Sequence, residues 1–139
     1  MKVCLDTSVF VAVKNTEDDS EECEKILDAI DNKEIEGAVS SIVIAETLVG
    51  FYKNNEEKDA EDFLTHATQT CQISSVDLQV ADKAARLRAE RKIKLPDAII
   101  IATAEIVGAD CFVTKDDTLK KRSEIQSLSP TEFVRRYMG

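Results

Sequence analysis

The chain begins with Met1-Lys-Val-Cys-Leu-Asp-Thr-Ser-Val-Phe10, an apolar segment that stops at one carboxylate and two hydroxyls. Residues Lys2–Leu5 predict a short buried β-strand, because the run is mostly apolar and too short for a helix. Asp6 follows directly after that strand. Taken alone, Asp6 is best explained as the N-cap of a helix that starts near Ser8, since aspartate is a preferred capping residue. A functional role becomes the better explanation only if other segments bring carboxylates to the same place.

Outward from this strand, short apolar strands alternate with helical patterns along the whole chain. Three more strands are predicted at residues 37–40, 70–73 and 111–113, with a candidate fifth strand at 125–128. Helices are predicted between them, including an almost wholly apolar and therefore buried helix at 96–107. This alternation predicts an α/β fold: one three-layer α/β/α domain over residues 1–139, with a central parallel sheet of four to five strands. In such folds, sites form at the carboxyl ends of the strands.

Composition and charge argue against several classes of function. The 139 residues carry a net charge of −9, which disfavours a protein that coats nucleic acid with a broad basic face. Aromatic residues make up 5% and Trp is absent, so a base-stacking platform for single strands is not expected. The four cysteines lie far apart without a CxxC pair, which predicts buried thiols in a reducing, cytoplasmic setting and no zinc site. No apolar run reaches about 18 residues and no signal peptide is expected, so no membrane contact is predicted.

Three further segments place acids in notable positions. Glu46 lies on a stripe of apolar and small residues, where a carboxylate is costly to bury unless it is paired or binds a cation; a head group that reaches water explains it equally well. Asp97 is the only charge in the buried helix until Glu105, which favours a functional role, although the first turn of a helix also favours negative charge. Asp116 and its neighbour Asp117 follow the fourth predicted strand, where a turn or N-cap role is the simpler explanation.

The four acids together carry more weight than any one of them. Asp6 and Asp116 both follow the carboxyl ends of strands, and a parallel sheet can bring Glu46 and Asp97 to the same edge. Two unit charges about 4 Å apart repel by roughly 4 kcal/mol at an effective dielectric near 20. Such a cluster therefore either raises the pKa values of its acids or binds a divalent cation. An all-oxygen site selects Mg²⁺ or Mn²⁺ and supports phosphodiester hydrolysis by an activated water.

Four segments that contain these acids resemble the PIN-domain ribonucleases, and in particular the VapC-like toxins of prokaryotic toxin–antitoxin pairs. The matching segments, in order, are Leu5-Asp-Thr-Ser8, Ile44-Ala-Glu-Thr-Leu-Val-Gly50, Leu95-Pro-Asp-Ala-Ile-Ile-Ile-Ala-Thr-Ala104 and Phe112-Val-Thr-Lys-Asp116. Their order and spacing extend the resemblance over the whole chain.

The resemblance implies a PIN fold and Mg²⁺- or Mn²⁺-dependent endonucleolytic cleavage of RNA by the toxin of a type II pair. It also implies a homodimer and a small cognate antitoxin. Ser8 and Thr114 match supporting polar positions, and Asp117 is the alternative to the fourth acid. The catalytic and metal-binding acids implied by the resemblance are Asp6, Glu46, Asp97 and Asp116.

Because the net charge is negative, contacts to RNA must come from local clusters of bases. The basic run that leads into Asp97 is the favoured cluster, although a charge run is more commonly a solvated helix face. The candidate RNA-binding residues are Arg86, Arg88, Arg91, Lys92, Lys94 and Lys115.

Two other functions stay open on the sequence. A receiver-type phospho-accepting module is also an α/β fold with an Asp after the first strand and a Lys after a late one, but it would need a second acid beside Asp6 and an Asp after the middle strand. A PIN-like RNA-binding or scaffold module without catalysis would lack acids of the quartet, and none is missing. A Ser–His–Asp hydrolase and a P-loop protein are disfavoured, because the single histidine, His66, lies in an ordinary amphipathic helix and no P-loop motif occurs.

Overall fold

The computed structural model describes residues 1–139 and has one central sheet. Its strands are β1 (Lys2–Leu5), β2 (Glu36–Ser40), β3 (Cys71–Ser74), β4 (Cys111–Val113) and β5 (Ser127–Leu128). They lie in the order β3-β2-β1-β4-β5, and every neighbouring pair is parallel. The predicted α/β class with a central parallel sheet is confirmed, and the candidate fifth strand exists.

Helices connect the strands and cover the sheet. They are α1 (Thr7–Lys14), α2 (Ser20–Asp31), α3 (Ser41–Lys53), α4 (Glu57–Thr70), α5 (Leu78–Arg91), α6 (Leu95–Ile106), α7 (Asp117–Lys120) and α8 (Pro130–Phe133), which continues as a π-helical turn at Val134–Met138. α1 packs on α2 and α3, and α5 packs on α6. None of the helices combines the length and the apolar character needed to cross a lipid bilayer.

The centre of the sheet forms the core. β1 lies between β2 and β4, and its residues Val3, Cys4 and Leu5 are fully buried. α6 buries half of its twelve residues, including Ile100 and Ile101, as its nearly continuous apolar sequence predicts. The middle strand and this helix therefore fix the elements on which the acids are carried.

Three of the four cysteines, Cys4, Cys23 and Cys111, are confirmed as buried thiols, whereas Cys71 is only partly buried. Cys4 and Cys111 are both inaccessible to solvent, and burial raises the pKa of Cys4 to about 12 and that of Cys111 to about 11. Both thiols stay protonated at neutral pH, so they pack as small apolar side chains.

Parallel pairing brings the carboxyl ends of β1 and β4 side by side. Leu5 lies opposite Val113, and the backbone N–H of Asp6 donates to the Val113 carbonyl at 3.0 Å. α1 begins immediately after β1, and α3 begins immediately after β2. The Ser40 hydroxyl caps α3 by accepting from the Ile42 N–H at 3.2 Å. The first turns of α1 and α3 therefore lie at the edge where β1 and β4 end.

Candidate active site

Asp6 occupies the N-cap position of α1, but its side chain does not cap the helix. Its backbone is extended and its carboxylate makes no hydrogen bond to the N–H groups of the first turn. Instead, Oδ2 accepts hydrogen bonds from Ser8 Oγ and from Thr114 Oγ1, each at 2.7 Å. The residue is only 6% exposed. The capping explanation favoured by the isolated motif therefore does not account for this buried carboxylate.

Two hydroxyls hold the Asp6 carboxylate in a fixed orientation. Ser8 Oγ accepts from the Lys115 N–H, and Thr114 Oγ1 accepts from the Asp116 N–H, both at 3.0 Å. Each hydroxyl has one proton, and in both cases the bond to Asp6 uses it. Backbone of the β4–α7 turn thus orients both hydroxyls, and the hydroxyls orient the acid. Ser8 and Thr114 both donate to Asp6, and their supporting role in a site stays a prediction.

Glu46 lies on α3 with its head group exposed, and α1 supplies its hydrogen-bond partner. Thr7 Oγ1 donates to Glu46 Oε1 at 2.6 Å. Thr7 was not among the residues predicted from the sequence. The signal was available in the Asp-Thr-Ser motif, since Thr7 stands between two residues of the predicted site. This bond directs the Glu46 side chain towards the end of β1.

Asp97 lies half-buried in the first turn of α6, and the other three acids interact with it electrostatically. Burial raises the pKa of its carboxyl above the ordinary value of 3.8, and the charges of Asp6, Asp116 and Glu46 raise it further. The nearby Lys94 acts in the opposite direction on this pKa. No hydrogen bond from a protein donor reaches the Asp97 carboxylate. The four acids are therefore close enough to interact electrostatically, as the parallel sheet predicts.

Asp116 caps α7 with one carboxylate oxygen. Oδ1 accepts from the N–H groups of Thr118 and Leu119 at 2.9 and 3.1 Å, so the simpler structural explanation holds for that oxygen. The second oxygen, Oδ2, has no partner in the protein. Asp117 lies exposed in the first turn of α7, and it is not among the charges that act on Asp97. These contacts favour Asp116 over Asp117 as the fourth acid.

The chemistry of the four acids fits a hard divalent cation. None of the ion pairs in the structure includes any of the four carboxylates, so no Lys or Arg neutralises them at short range. Carboxylate oxygens are the donors that Mg²⁺ and Mn²⁺ prefer. No three His, Cys, Asp or Glu side chains are gathered into a closed ligand cluster. Ion binding would therefore require Glu46 and Asp97 to draw in towards the fixed Asp6.

Two of the predicted RNA-binding arginines are already paired within the protein. Arg86 forms an ion pair with Asp82 one turn earlier on α5. Arg91 pairs with Glu105, whose side chain is 8% exposed, and with Glu124. Both arginines therefore already have carboxylate neighbours before any ligand arrives.

Two more predicted bases also have internal partners. Arg88 donates from Nη1 to the carbonyl of Ile93 at 2.9 Å, and so holds the turn between α5 and α6. Lys115 forms ion pairs with Glu17 and with Asp19 from the turn that connects α1 to α2. These contacts use Lys115 to attach the β4–α7 turn to the α1–α2 turn.

The remaining two predicted bases, Lys92 and Lys94, have no carboxylate partner and lie beside the acids. They line an open cavity of about 290 Å³ in which Asp97 and Asp116 also take part. Arg122 lines the same cavity and was not predicted, although it ends the basic run 120–122. The residues around this cavity are Lys92, Ile93, Lys94, Asp97, Asp116, Thr118, Leu119 and Arg122.

Comparison with protein families identifies the chain. The family model of the PIN domain matches residues 3–125. No curated protein sequence matches the chain significantly. The matched region contains the four acids and one of the two hydroxyls that contact Asp6: Asp6, Glu46, Asp97, Thr114 and Asp116. The chain therefore belongs to the PIN-domain family, and the resemblance inferred from its motifs is confirmed. A receiver-type signalling module is a different class of domain and is excluded.

Several solved structures with the same fold are of toxins or toxin–antitoxin complexes. A chain of a toxin–antitoxin complex from Klebsiella pneumoniae is 25% identical, with a TM-score of 0.73, over 92% of this chain and 97% of that one. VapBC2 from Rickettsia felis, bound to a promoter DNA fragment, is 24% identical with a TM-score of 0.73 over 93% and 98%. VapC20 from Mycobacterium tuberculosis, a sarcin-ricin loop cleaving toxin, is 15% identical with a TM-score of 0.68 over 86% and 93%. The fold of this chain is thus that of a VapC-like PIN domain.

Proposed function

We propose that this chain, as one catalytic domain over residues 1–139, is an endoribonuclease that hydrolyses RNA phosphodiester bonds with the help of Mg²⁺ or Mn²⁺. One observation carries the proposal. Four carboxylates surround the end of β1 without a cationic partner, and three of them raise the pKa of the fourth, Asp97. A protein gains nothing in stability from such mutual repulsion, so the arrangement is best explained by a ligand that carries positive charge.

In this proposal, Asp6, Glu46, Asp97 and Asp116 are the catalytic and metal-binding residues. A bound divalent ion would lower the pKa of a water molecule. It would also stabilise negative charge on the phosphoryl and leaving oxygens. The protein contributes orientation. Asp6 is the rigid member, since two hydroxyls fix one oxygen and leave Oδ1 for a ligand.

The other three acids act as adjustable members of the set. Glu46 is exposed and held by one bond from Thr7, and Asp97 has no hydrogen-bond partner of its own. Asp116 offers Oδ2 while Oδ1 stays on the helix cap. Such freedom lets the carboxylates approach an ion without unfolding any element. No side-chain nucleophile is needed, because the attacking group is water.

The biological role that we propose is the toxin of a type II toxin–antitoxin pair, acting in the cytoplasm. Two of the structures with this fold come from toxin–antitoxin complexes and match over nearly the full chain, and a third, VapC20, is a toxin that cleaves the sarcin-ricin loop. We therefore propose a cognate antitoxin as the protein partner and a homodimer as the assembly. Exposed apolar side chains on α3 and at the start of α5, including Val49, Tyr52 and Leu78, are consistent with covered faces. A non-catalytic scaffold is the weaker alternative, since the whole quartet is present.

The nuclease proposal is tested by cleavage of a single-stranded RNA with Mg²⁺, with Mn²⁺ and with EDTA. The informative variant is Asp97→Asn, and Asp59→Asn is its matched control. Both aspartates lie at the third position of a helix, so both substitutions remove the same favourable interaction with the helix dipole. We expect metal-dependent cleavage by the wild type and by Asp59→Asn, and loss of it in Asp97→Asn. Cleavage by Asp97→Asn at the wild-type rate and metal dependence would refute the proposal.

Ion binding is tested separately by thermal unfolding. A cation at about 100 times its Kd would add roughly 2.7 kcal/mol to the free energy of unfolding. We expect Mn²⁺ to raise the Tm of the wild type and of Asp59→Asn, and to raise it much less in Asp6→Asn. An equal rise in Asp6→Asn would show that the ion binds elsewhere.

A further inference from the structure

Two depressions near the acidic site differ in charge. At the α1–α2 turn, Glu17, Asp18 and Asp19 form an open depression in which Lys115 is the only cation. The cavity next to Asp97 and Asp116 is lined instead by Lys92, Lys94 and Arg122. In a chain with a net charge of −9, three cations without a carboxylate partner around one cavity are a local exception.

The 92–94 turn is held rigidly between two helices. Lys92 ends α5 in a left-handed conformation with φ of 55°, and Lys94 is the N-cap residue of α6. Between them Ile93 is buried at 5% exposure, and its carbonyl accepts the hydrogen bond from Arg88. Burial of the middle residue leaves the two lysines on the surface beside Asp97. Their placement follows from the turn and not from a flexible tail.

Arg122 is placed by a reciprocal pair of hydrogen bonds with Arg91. Arg91 Nη1 donates to the Arg122 carbonyl at 2.8 Å, and Arg122 Nη1 donates to the Arg91 carbonyl at 2.6 Å. The two arginines differ in charge compensation. Arg91 is paired with Glu105 and Glu124, whereas Arg122 has no carboxylate partner and keeps its other donors free. Arg91 therefore holds the backbone at Arg122 in place, and Arg122 is the arginine available to a ligand.

We propose that Lys92, Lys94 and Arg122 form a subsite for an RNA phosphate adjacent to the one that is cut. The subsite rests on the proposed nuclease function and adds the path of the substrate. Asp97 and Asp116 form one wall of the same cavity, so a strand that presents a phosphate to the acids reaches the three cations with a neighbouring phosphate. The acidic α1–α2 turn, with Glu17, Asp18 and Asp19, repels a strand that approaches it. The strand therefore runs over the 92–94 turn, and the subsite reads backbone charge and not base identity.

Binding without metal tests the subsite independently of cleavage. The probe is a short fluorescein-labelled single-stranded RNA in EDTA, and anisotropy gives its affinity over a range of salt concentrations. For a single strand, the slope of log K against log salt is negative, and each lost phosphate contact reduces its magnitude by about 0.7. We expect this reduction in Lys92→Gln and in Arg122→Gln, together with weaker binding.

The chain offers a matched control for each variant. Lys33 is exposed and has a φ of 61°, so Lys33→Gln reproduces the left-handed backbone of Lys92→Gln away from the site. Lys121→Gln removes the charge next to Arg122 but outside the cavity. Both controls should keep the wild-type slope. Arg122→Lys should restore most of the slope that Arg122→Gln loses, because the charge returns without the Arg91 contact.

A neutral phosphate analogue locates the contact. Methylphosphonate substitution at the phosphate next to the cut should weaken binding to the wild type and have little further effect in Arg122→Gln. Independent losses in that double cycle would contradict the subsite, as would equal salt slopes for Arg122→Gln and Lys121→Gln.

Cleavage separates the subsite from the nuclease proposal. Metal-dependent cleavage with an unchanged KM in Lys92→Gln and Arg122→Gln would overturn the subsite and leave the nuclease intact. A wild type that cuts no RNA but binds it with the predicted salt dependence would support the subsite and overturn the nuclease. A wild type that binds no RNA at low salt would overturn the subsite.

Discussion

Asp6 and Asp116 follow neighbouring parallel strands, and each occupies the N-cap position of the next helix. Asp116 is exposed and uses Oδ1 to cap α7 with two hydrogen bonds. Asp6 is buried, leaves α1 without a side-chain cap and accepts two hydroxyls instead. Thr114 joins the two, since it accepts from the Asp116 N–H and donates to Asp6. The N-cap position thus has different roles at the two strand ends. At β4 it stabilises the next helix through Asp116, and at β1 it holds the buried, oriented carboxylate of Asp6.

The largest effect in this comparison is expected for Asp6→Asn. The substitution keeps the shape of the side chain but removes the charge of the one acid that the fold holds rigidly. We expect RNA cleavage with Mg²⁺ or Mn²⁺ to fall by more than about 100-fold, beyond the 10- to 100-fold range typical for a partner of a metal ligand. Initial rates on a labelled RNA measure this.

Asp77→Asn is the control for that loss. Asp77 is also an N-cap residue, and its side chain accepts from the Val80 N–H at 3.0 Å. The control should leave the cleavage rate unchanged. If Asp6→Asn kept a cleavage rate within a few-fold of wild type, Asp6 would have only a structural role. The functional difference proposed between Asp6 and Asp116 would then be wrong.

The second effect concerns the hydroxyl that joins the two strand ends. Thr114→Val removes a donor to Asp6 and an acceptor for the Asp116 N–H at a fully buried position. We expect a loss of about 10- to 100-fold in metal affinity or cleavage, with a destabilisation of about 1–3 kcal/mol from the unsatisfied buried groups. Cleavage rates and Mn²⁺-dependent Tm shifts measure the two parts.

Thr114→Ser should recover most of the activity, because it retains the hydroxyl. Thr103→Val is the matched control: Thr103 is equally buried, but its hydroxyl donates within α6 to the Ile99 carbonyl. A loss of cleavage in Thr103→Val as large as in Thr114→Val would mean that burial of any threonine, and not the link to Asp6, explains the result.

The third effect separates the helix-capping role of Asp116 from its proposed metal-binding role. Asp116→Ala removes both the cap and the charge, and we expect it to cost about 1 kcal/mol in the free energy of unfolding. Asp116→Asn keeps a capping oxygen, so its stability should stay near wild type while metal-dependent cleavage falls. Urea unfolding and cleavage assays on the same samples distinguish the two.

Asp117→Asn provides the comparison for the adjacent acid. It should cleave RNA at a rate close to wild type, because Asp117 is exposed and does not act on Asp97. The opposite order, with Asp117→Asn more impaired than Asp116→Asn, would move the fourth acid by one residue.

The sequence predicted the sheet, the helices and the convergence of the acids, because these depend on local periodicity and on one rule of parallel sheets. It did not predict which of the two aspartates at strand ends leaves the following helix without a side-chain cap. That outcome depends on Thr114, which lies 108 residues from Asp6 along the chain. Motif spacing brings such residues to one edge but does not decide their hydrogen bonds.

The same reason explains why the sequence does not separate paired from unpaired bases. Arg91 stood in the favoured basic run, yet Glu105 and Glu124 compensate its charge, and its partner Arg122 lies 31 residues away. Lys115 is likewise held by Glu17 and Asp19. A charge run in the sequence shows how many bases are present. Only tertiary contacts decide which of them are free.

The smallest effect is a shift of stability with pH at Asp97. Burial and the other acids raise the pKa of this carboxyl above 3.8 in the folded protein, so the folded state holds the proton more tightly than the unfolded chain does. Stability is therefore lost as pH rises from 3.8 to the raised value, and the cost is fully present above it. Asp97→Asn removes that cost. In EDTA, its Tm should exceed that of the wild type at neutral pH.

The gain should disappear below pH 3.8, where Asp97 is protonated in both states and resembles the amide. Asp59→Asn, at the equivalent helix position but exposed, should show no such gain at neutral pH. Mn²⁺ should reverse the order by stabilising the wild type more than Asp97→Asn, because the same negative charge that destabilises the metal-free protein attracts the ion. If Asp97→Asn lost as much stability as its matched control Asp59→Asn in EDTA at neutral pH, the four acids would not be repelling one another. Asp97 would then resemble Asp116 in having a structural role at the start of its helix.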